Sequence, residues 1–170
     1  MLKKMLSFSK PDQDKRLEID INVVIDELMM LYEKRFRENS IKVSMDLVES
    51  PGMILASRDQ LRQVFINMFS NAMYAMPDGG NLEISTMVFL QKLFIIIKDT
   101  GTGIKPVHMK KIFDSFFTTK KDSVQGVGLG LSVVYGIIQD HGAKIYVDSN
   151  PDEGTCFSIT LYKDMTSKKT

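Results

Sequence analysis

The sequence contains few of the residues that cross-link a chain or gather around a metal. Of its 170 residues, one is cysteine, two are histidine and none is tryptophan. The single cysteine, Cys156, excludes a disulfide framework and a cysteine-rich zinc site, and it is typical of a reducing compartment. His108 and His141 have no ligand cluster around them in the sequence, so a zinc site is not predicted.

Excess charge and long apolar runs are also missing. The net charge is +1, which excludes the basic footprint of a nucleic-acid binder and a polybasic membrane patch. The most apolar stretch, residues 87–99, is interrupted by Gln91 and Lys92 and is too short to span a bilayer. Because the first residues contain no long apolar region followed by a small-residue cleavage site, no signal peptide is predicted and a cytoplasmic location is expected.

Hydrophobic periodicity is plentiful and predicts one α/β sandwich domain. The length suffices for a single domain with a substantial core and is too short for two ordinary ones. Because several neighbouring strands are joined by hairpin-length turns, the sheet should be mostly antiparallel, with about three main helices over it. The predicted strands are residues 17–22, 41–47, 53–57, 81–89, 92–99, 143–149 and 155–162, and the predicted helices are 22–38, 58–76, 105–116 and 129–141.

Two asparagines lie four residues apart on the most strongly periodic helix, 58–76. Asn67 and Asn71 therefore share one face of that helix, at the border of its apolar arc. A carboxamide oxygen at such a border can ligate a hard cation without adding charge, which suits Mg²⁺ that is already held by the phosphates of a nucleotide. Taken alone, the pattern also fits ordinary polar residues at the edge of the core, or caps for a neighbouring loop.

An aspartate ends the most apolar predicted strand, 92–99, and two glycines follow it. Asp99 is costly to bury there unless it accepts hydrogen bonds, and Gly101 and Gly103 permit close backbone approach. An acceptor at the bottom of an apolar pocket suits the exocyclic amine of adenine. An Asx-type turn that closes the strand is a simpler alternative. The Asp-Thr-Gly motif of aspartic proteases is another, although a single copy would require a homodimer.

A third cluster of three glycines leads into the predicted helix 129–141: Gly126, Gly128 and Gly130. It is not a P-loop, because no Lys-Ser or Lys-Thr follows, and it is not the dinucleotide-binding fingerprint, because Leu131 stands where glycine or alanine is required. A polar loop that delivers glycines to a helix N-terminus makes a good anion site. Lys120 and Lys121 in the preceding loop are placed to reach terminal phosphates.

Five ordered motifs resemble those of sensor histidine kinases. They occur in the family's order and at its spacing, and the resemblance covers about residues 17–162. The run "FFTTK" and the helix ending "NAMYAMPDGG" are similar to the nitrogen-regulator and dicarboxylate-sensor branch of that family. The motifs are residues 59–76 (the N box), 99–104 (the first glycine box), 112–120 (the F box), 126–131 (the second glycine box) and 141–161 (the closing hairpin with the last glycine motif).

The resemblance implies the Bergerat (GHKL ATPase) fold, an α+β two-layer sandwich with a mixed, mostly antiparallel five-stranded sheet. It implies ATP and Mg²⁺ as cofactors, with Asn71 holding Mg²⁺, Asn67 supporting it and Asp99 receiving the adenine amine. An ATP lid is expected near residues 114–127, where Lys120 would act with the two asparagines in catalysis. The other implied cofactor-binding residues are Gly101, Gly103, Ile104, Phe117, Gly126, Gly128, Gly130, Leu131 and Thr155.

The N box favours phosphoryl transfer over hydrolysis. Hydrolytic relatives place a glutamate four residues before the Mg-binding asparagine, as general base for the attacking water. Asn67 stands there in this chain, and a neutral carboxamide cannot take up the proton. An anti-sigma serine kinase on the same fold is the alternative, but its members usually keep an acidic residue at this position.

The acceptor histidine is expected on another domain. The family's acceptor histidine is followed by an acidic residue, whereas His108 is followed by Met109 and His141 by glycine. The expected partners are a histidine-bearing dimerisation domain of the same or a sister chain and a response regulator receiver domain, in a homodimer that reaches a membrane only through segments outside this chain. No nucleic acid partner is expected. The expected division is residues 1–16 as the tail of an acceptor helix with its linker, 17–163 as the catalytic domain and 164–170 as a polar tail.

Overall fold

The computed structural model of the protein describes residues 15–118 and 128–163. These residues form seven strands and four helices in the order β-α-β-β-α-β-β-α-α-β-β. The elements are β1 (Leu17–Asp20), α1 (Ile21–Glu38), β2 (Ile41–Asp46), β3 (Met53–Ala56), α2 (Arg58–Ala75), β4 (Gly80–Phe89), β5 (Lys92–Asp99), α3 (Pro106–Met109), α4 (Gly130–Asp140), β6 (Lys144–Asn150) and β7 (Gly154–Tyr162).

The main sheet has five strands in the order β2-β4-β5-β7-β6. Only β2 and β4 pair in parallel; the other three pairs are antiparallel, and β1 and β3 form a separate two-stranded antiparallel sheet. Strand β5 is central, as its continuous apolar sequence predicts. The β5–β7 register places Asp99 directly opposite Thr155, so the residues that end one strand and begin the other lie side by side.

The core lies between one face of this sheet and the helices. Alternate residues of β5 point into it, and Leu93, Ile95 and Ile97 are at most 3% exposed. The apolar face of α2 packs on the same layer, and the ring of its Phe69 meets that of Tyr32 in α1 edge-to-face, with 5.5 Å between ring centroids. Each large side chain buried in this way contributes roughly 1.5–3 kcal/mol, so the periodic faces of α1, α2 and β5 account for the sandwich.

Two polar residues determine where the long helices begin. Asp20 caps α1 by accepting a hydrogen bond from the Asn22 backbone N–H at 2.8 Å, and the Ser57 hydroxyl caps α2. His141 connects the start of α2 to the end of α4. Its Nε2 accepts a hydrogen bond from the Ser57 backbone N–H at 3.1 Å, and its Nδ1 donates to the Ile137 carbonyl at 2.7 Å.

One predicted helix is much shorter than expected. The sequence pattern predicts a helix over 105–116, but only Pro106–Met109 are helical, and turns follow. The backbone hydrogen bonds here span three residues, as from Lys111 N–H to the His108 carbonyl and from Asp114 N–H to the Lys111 carbonyl. Ile112 is the one buried residue of 105–116, so a continuous helix over this segment would gain little packing energy. In the part of the chain that the structure describes, no helix has the length and apolar character needed to cross a membrane.

Candidate functional site

A cleft of about 620 Å³ lies beside α2 and reaches the loop after β5, α3 and the start of α4. It combines apolar walls with a small set of polar side chains, which is typical of a site for a small molecule. Ten predicted site residues lie along it, together with residues that were not predicted. The predicted ones are Asn67, Asn71, Asp99, Gly103, Ile104, Phe117, Gly128, Gly130, Leu131 and Thr155.

Asp99 is a carboxylate buried at the base of the cleft. It is 5% exposed, and its Oδ1 accepts hydrogen bonds from the backbone N–H groups of Gly101 at 2.9 Å and Thr155 at 3.3 Å. Burial raises the pKa of Asp99 above its usual value, although these two hydrogen bonds act in the opposite direction. No described residue donates a hydrogen bond to its Oδ2, so one acceptor oxygen is available to a ligand.

The two glycines after Asp99 allow segments of the protein to pack closely. A Cβ on Gly103, whose φ is +65°, would lie 1.9 Å from the Asn150 carbonyl oxygen. A Cβ on Gly101 would lie 2.6 Å from the Ala75 carbonyl oxygen at the end of α2. Gly103 lies along the cleft, whereas Gly101 is buried behind Asp99 and reaches the site through its backbone N–H. The loop is therefore shaped by contacts with α2 and with the β6–β7 turn.

The paired asparagines of α2 both face the cleft and are half-buried. Asn67 Nδ2 donates a hydrogen bond to the Gly130 carbonyl at 3.2 Å, and its Oδ1 accepts one from Gln63 at 3.3 Å. Asn67 thus connects α2 to the first residue of α4, while Asn71 lies one turn further along α2.

The first residues of α4 are open to the cleft. A Cβ on Gly130 would meet nothing nearer than the Asn67 carboxamide at 3.7 Å, so this helix N-terminus is accessible to an anion. Gly128 has φ +74° and packs against the backbone of Phe116, whose N–H donates to the Gly128 carbonyl at 2.9 Å. Gly128 therefore joins the two chain segments that border residues 119–127. Lys120, Lys121 and Gly126, together with most of the predicted lid, lie outside the described residues.

Several residues along the cleft were missed by the sequence analysis. Ser70 and Tyr74 follow Asn67 and Asn71 by three residues, so a helical wheel would have placed them on an adjoining face. Tyr32 and Arg35 of α1 are brought in by tertiary packing and have no local signal. The remaining residues are Ile66, Ala75, Thr102, His108, Ile112, Thr118 and Phe157.

Fold and site together define a nucleotide-binding domain. A buried carboxylate acceptor, two carboxamides on one helix and an open helix N-terminus line one cleft on an α+β sandwich. Residues 56–165 match the family described as "Histidine kinase-, DNA gyrase B-, and HSP90-like ATPase", and the chain belongs to that family. Within it, the chain is an ATP-binding catalytic domain of the histidine kinase type, as the resemblance predicts.

The relatives include a sporulation kinase and solved histidine kinases. Sporulation kinase A of Bacillus subtilis is 35% identical over 164 residues, which are 96% of this chain but 27% of that protein. The solved catalytic domain of histidine kinase ThkA is 32% identical with a TM-score of 0.77, over 87% of this chain and 95% of that one. ThkA in complex with response regulator protein TrrA is 28% identical with a TM-score of 0.75, over 90% of this chain and 43% of that one.

These findings confirm the predicted fold and the predicted type of domain. They give no support to the protease interpretation of the Asp-Thr-Gly motif. The assignment to the nitrogen-regulator and dicarboxylate-sensor branch stays a prediction, as do the domain boundaries and the roles of individual site residues.

Proposed function

We propose that this domain binds ATP with Mg²⁺ and presents the γ-phosphoryl group to a histidine on a separate dimerisation domain of a sensor histidine kinase. The observation that carries the proposal is the state of Asp99. A buried carboxylate that is held through one oxygen and offers the other to a cleft fits a ligand with an N–H donor at its innermost end. The exocyclic amine of adenine is such a donor.

The residues present fit a magnesium ion that is held chiefly by the nucleotide. Among the described residues no group of three His, Cys, Asp or Glu side chains could hold a metal. A carboxamide such as that of Asn71 suits Mg²⁺, which commonly keeps water and phosphate oxygens as its other ligands. When bound, Mg²⁺ would neutralise charge on the phosphates.

The chain's own polar groups would position the rest of the ligand. Asn71 supplies one neutral oxygen beside the phosphates, and the open N-terminus of α4 at Gly130 faces the same region. Asn67 holds these two elements together through its hydrogen bond to the Gly130 carbonyl. Catalysis of phosphoryl transfer consists mainly of such positioning and charge stabilisation, so the nucleophile can come from another domain.

Neither described histidine has the setting of a phosphoryl acceptor. Both ring nitrogens of His141 are engaged by backbone groups, and the ring of His108 packs against that of Phe117 at a tilt of 52°, with 5.4 Å between centroids. Asn67 cannot act as general base for water, which disfavours hydrolysis. An acceptor histidine on a dimerisation domain, a homodimeric full-length kinase and a cytoplasmic position of this domain remain part of the proposal. The complex of ThkA with a response regulator supports a receiver domain as the downstream partner.

Titration with a fluorescent ATP analogue, with and without Mg²⁺, tests nucleotide binding. We expect saturable binding that Mg²⁺ strengthens, a loss of binding in Asp99→Asn, and a loss of the Mg²⁺ effect in Asn71→Ala, which removes the ligating oxygen. The exposed Asp148→Asn is the matched control and should bind like the wild type. Absence of nucleotide binding by the folded wild-type domain would refute the proposal.

Phosphoryl transfer requires a second experiment with the full-length protein. Incubation with radiolabelled ATP should give an acid-labile, base-stable phosphoprotein, and label should pass to a receiver domain. The isolated domain should incorporate no label into His108 or His141. Labelling of either histidine in the isolated domain would contradict the assignment of the acceptor to another domain.

A further inference from the structure

Arg35 lies along the cleft but has no place in the roles described so far. It belongs to the last turn of α1, and among the described residues that line the cleft it alone carries a permanent positive charge. No carboxylate of a described residue lies within ion-pair distance of its guanidinium, whereas neighbouring Lys34 pairs with Glu38 at 3.7 Å. Its charge is therefore not neutralised by the described part of the fold.

The guanidinium has a defined position. It lies over the ring of Tyr32, one helical turn earlier, with 5.1 Å between its carbon and the ring centroid. Tyr32 is itself fixed, because it is only 9% exposed and packs on Phe69 of α2. Phe69 immediately precedes Ser70, which lines the cleft, so this packing places the Arg35 turn of α1 beside the α2 wall. A stacked guanidinium loses less side-chain entropy when it binds an anion than a free one does.

The α2 wall provides no cation of its own. From Gln63 to Ala75 the helix has no lysine, arginine or histidine, although this part carries both asparagines. The cleft thus has one buried carboxylate acceptor, Asp99, and one permanent cation, Arg35, among its described residues. A ligand that carries both a hydrogen-bond donor and an anionic chain matches this pair of groups.

We propose that Arg35, held against Tyr32, contacts the phosphate chain of the bound nucleotide. This inference rests on the proposed function, because the nucleotide is the ligand whose phosphates Arg35 would contact. The planar fork of the guanidinium suits two phosphate oxygens at once, which a lysine ammonium cannot reproduce. The alternative is that Arg35 only complements the dipole at the end of α1. Arg37 lies in the same last turn, is exposed and does not line the cleft. It can therefore complement the helix dipole as Arg35 does, but it cannot contact a ligand in the cleft.

Calorimetric titration of a ligand series separates these possibilities. Adenosine, AMP, ADP and ATP would be titrated into the wild type, Arg35→Gln, Arg35→Lys and the control Arg37→Gln, with Mg²⁺ present. We expect Arg35→Gln to weaken ATP binding about tenfold, as expected for one charge-assisted contact, and to leave adenosine binding within about twofold. The ATP affinity of Arg35→Lys should lie between those of Arg35→Gln and the wild type, and that of Arg37→Gln should equal the wild-type value. Higher salt should reduce the difference in ATP affinity between Arg35→Gln and the wild type.

Three results would overturn the inference. These are equal ATP affinity in Arg35→Gln and the wild type, an equal loss for adenosine and ATP, or the same loss in Arg37→Gln. Thermal unfolding of the unliganded variants shows whether any loss reflects a damaged fold. Failure of the proposed function gives a different result, because the wild type itself would then bind neither adenosine nor ATP.

Discussion

Burial raises the pKa of Asp99, and the direction of this shift determines how its charge affects stability. The folded state holds the Asp99 proton more tightly than the unfolded state does. Unliganded protein therefore loses stability as the pH rises from the ordinary aspartate value of 3.8 through the raised pKa. Above that window the buried ionised carboxylate destabilises the folded protein, and a ligand amine that donates to Oδ2 would offset this effect.

We expect Asp99→Asn to stabilise the unliganded protein while it impairs nucleotide binding. Asparagine keeps an oxygen for the N–H groups of Gly101 and Thr155 and removes the buried charge. The free energy of unfolding at neutral pH should rise by on the order of 1 kcal/mol, and the gain should vanish below the usual aspartate pKa. Urea unfolding across this pH range measures it, with the exposed Asp148→Asn as control. A variant less stable than the wild type at neutral pH would contradict the assignment.

The same substitution should change the preference for the base. In Asp99→Asn the carboxamide oxygen would accept the hydrogen bonds of the backbone N–H groups, so its NH₂ group would point toward the ligand. Two donors would then face each other when adenine binds, whereas the 6-keto oxygen of hypoxanthine would accept a hydrogen bond from this NH₂ group. The ratio of ATP to ITP affinity should therefore fall by about tenfold or more, since an unpaired buried polar group costs ~1–3 kcal/mol. Competition titrations measure the ratio. An unchanged ratio would place the base elsewhere in the cleft.

At the scale of elements, the start of α4 depends on α2. The Asn67 carboxamide donates to the Gly130 carbonyl, and Gly128 packs against the Phe116 backbone just before it. The helix therefore begins where three segments meet: α2, the turn at Phe116, and Gly128 with the residue after it. Phe116 itself has φ +68°, an uncommon conformation for a large side chain, and its N–H is held by the Gly128 carbonyl.

Asn67→Asp tests this connection. The new carboxylate oxygen would lie near the Gly130 carbonyl, so two acceptors would face each other where a donor now meets an acceptor at 3.2 Å. We expect a loss of ~1–2 kcal/mol in the free energy of unfolding, toward the lower end because Asn67 is only half-buried. Urea denaturation measures this, with the exposed Asn81→Asp as control. Equal stabilities of the two variants would show that the Asn67 contact contributes nothing.

At the scale of the whole molecule, the ligand should act on global stability. The cleft is bordered by α1, α2, α3, α4 and the end of β5, so a nucleotide that fills it binds only the folded chain. An ATP analogue with Mg²⁺ at about 100 times its Kd should add ~2.7 kcal/mol and raise the Tm by roughly 5–10 °C. Differential scanning calorimetry measures the shift. Asp99→Asn should show a much smaller one, and no shift in the wild type would contradict the site.

The elements with strong periodicity could be predicted from the sequence, and those with weak periodicity could not. The predicted helix 58–76 and strand 92–99 agree with α2 and β5 within a residue, because each has one continuous apolar face that only a packed helix or strand can bury. The predicted helix 105–116 shrinks to α3, because this segment buries one side chain, that of Ile112, and so has no continuous apolar face to pack. Local spacing says little about a segment whose conformation is determined by its neighbours.

The sequence by itself determined the class of this domain and the residues at its centre. Asp99 and Asn71 stand in motifs whose order and spacing identify the family, since the chemistry requires those residue types at those positions along the chain. Only the tertiary structure decided which oxygen of Asp99 accepts the backbone hydrogen bonds, that Gly101 packs behind Asp99, and that Arg35 of α1 reaches the cleft. The physical reason is that these features depend on how α1, α2 and β7 pack against one another, and contacts between elements distant in sequence leave no periodicity in either one.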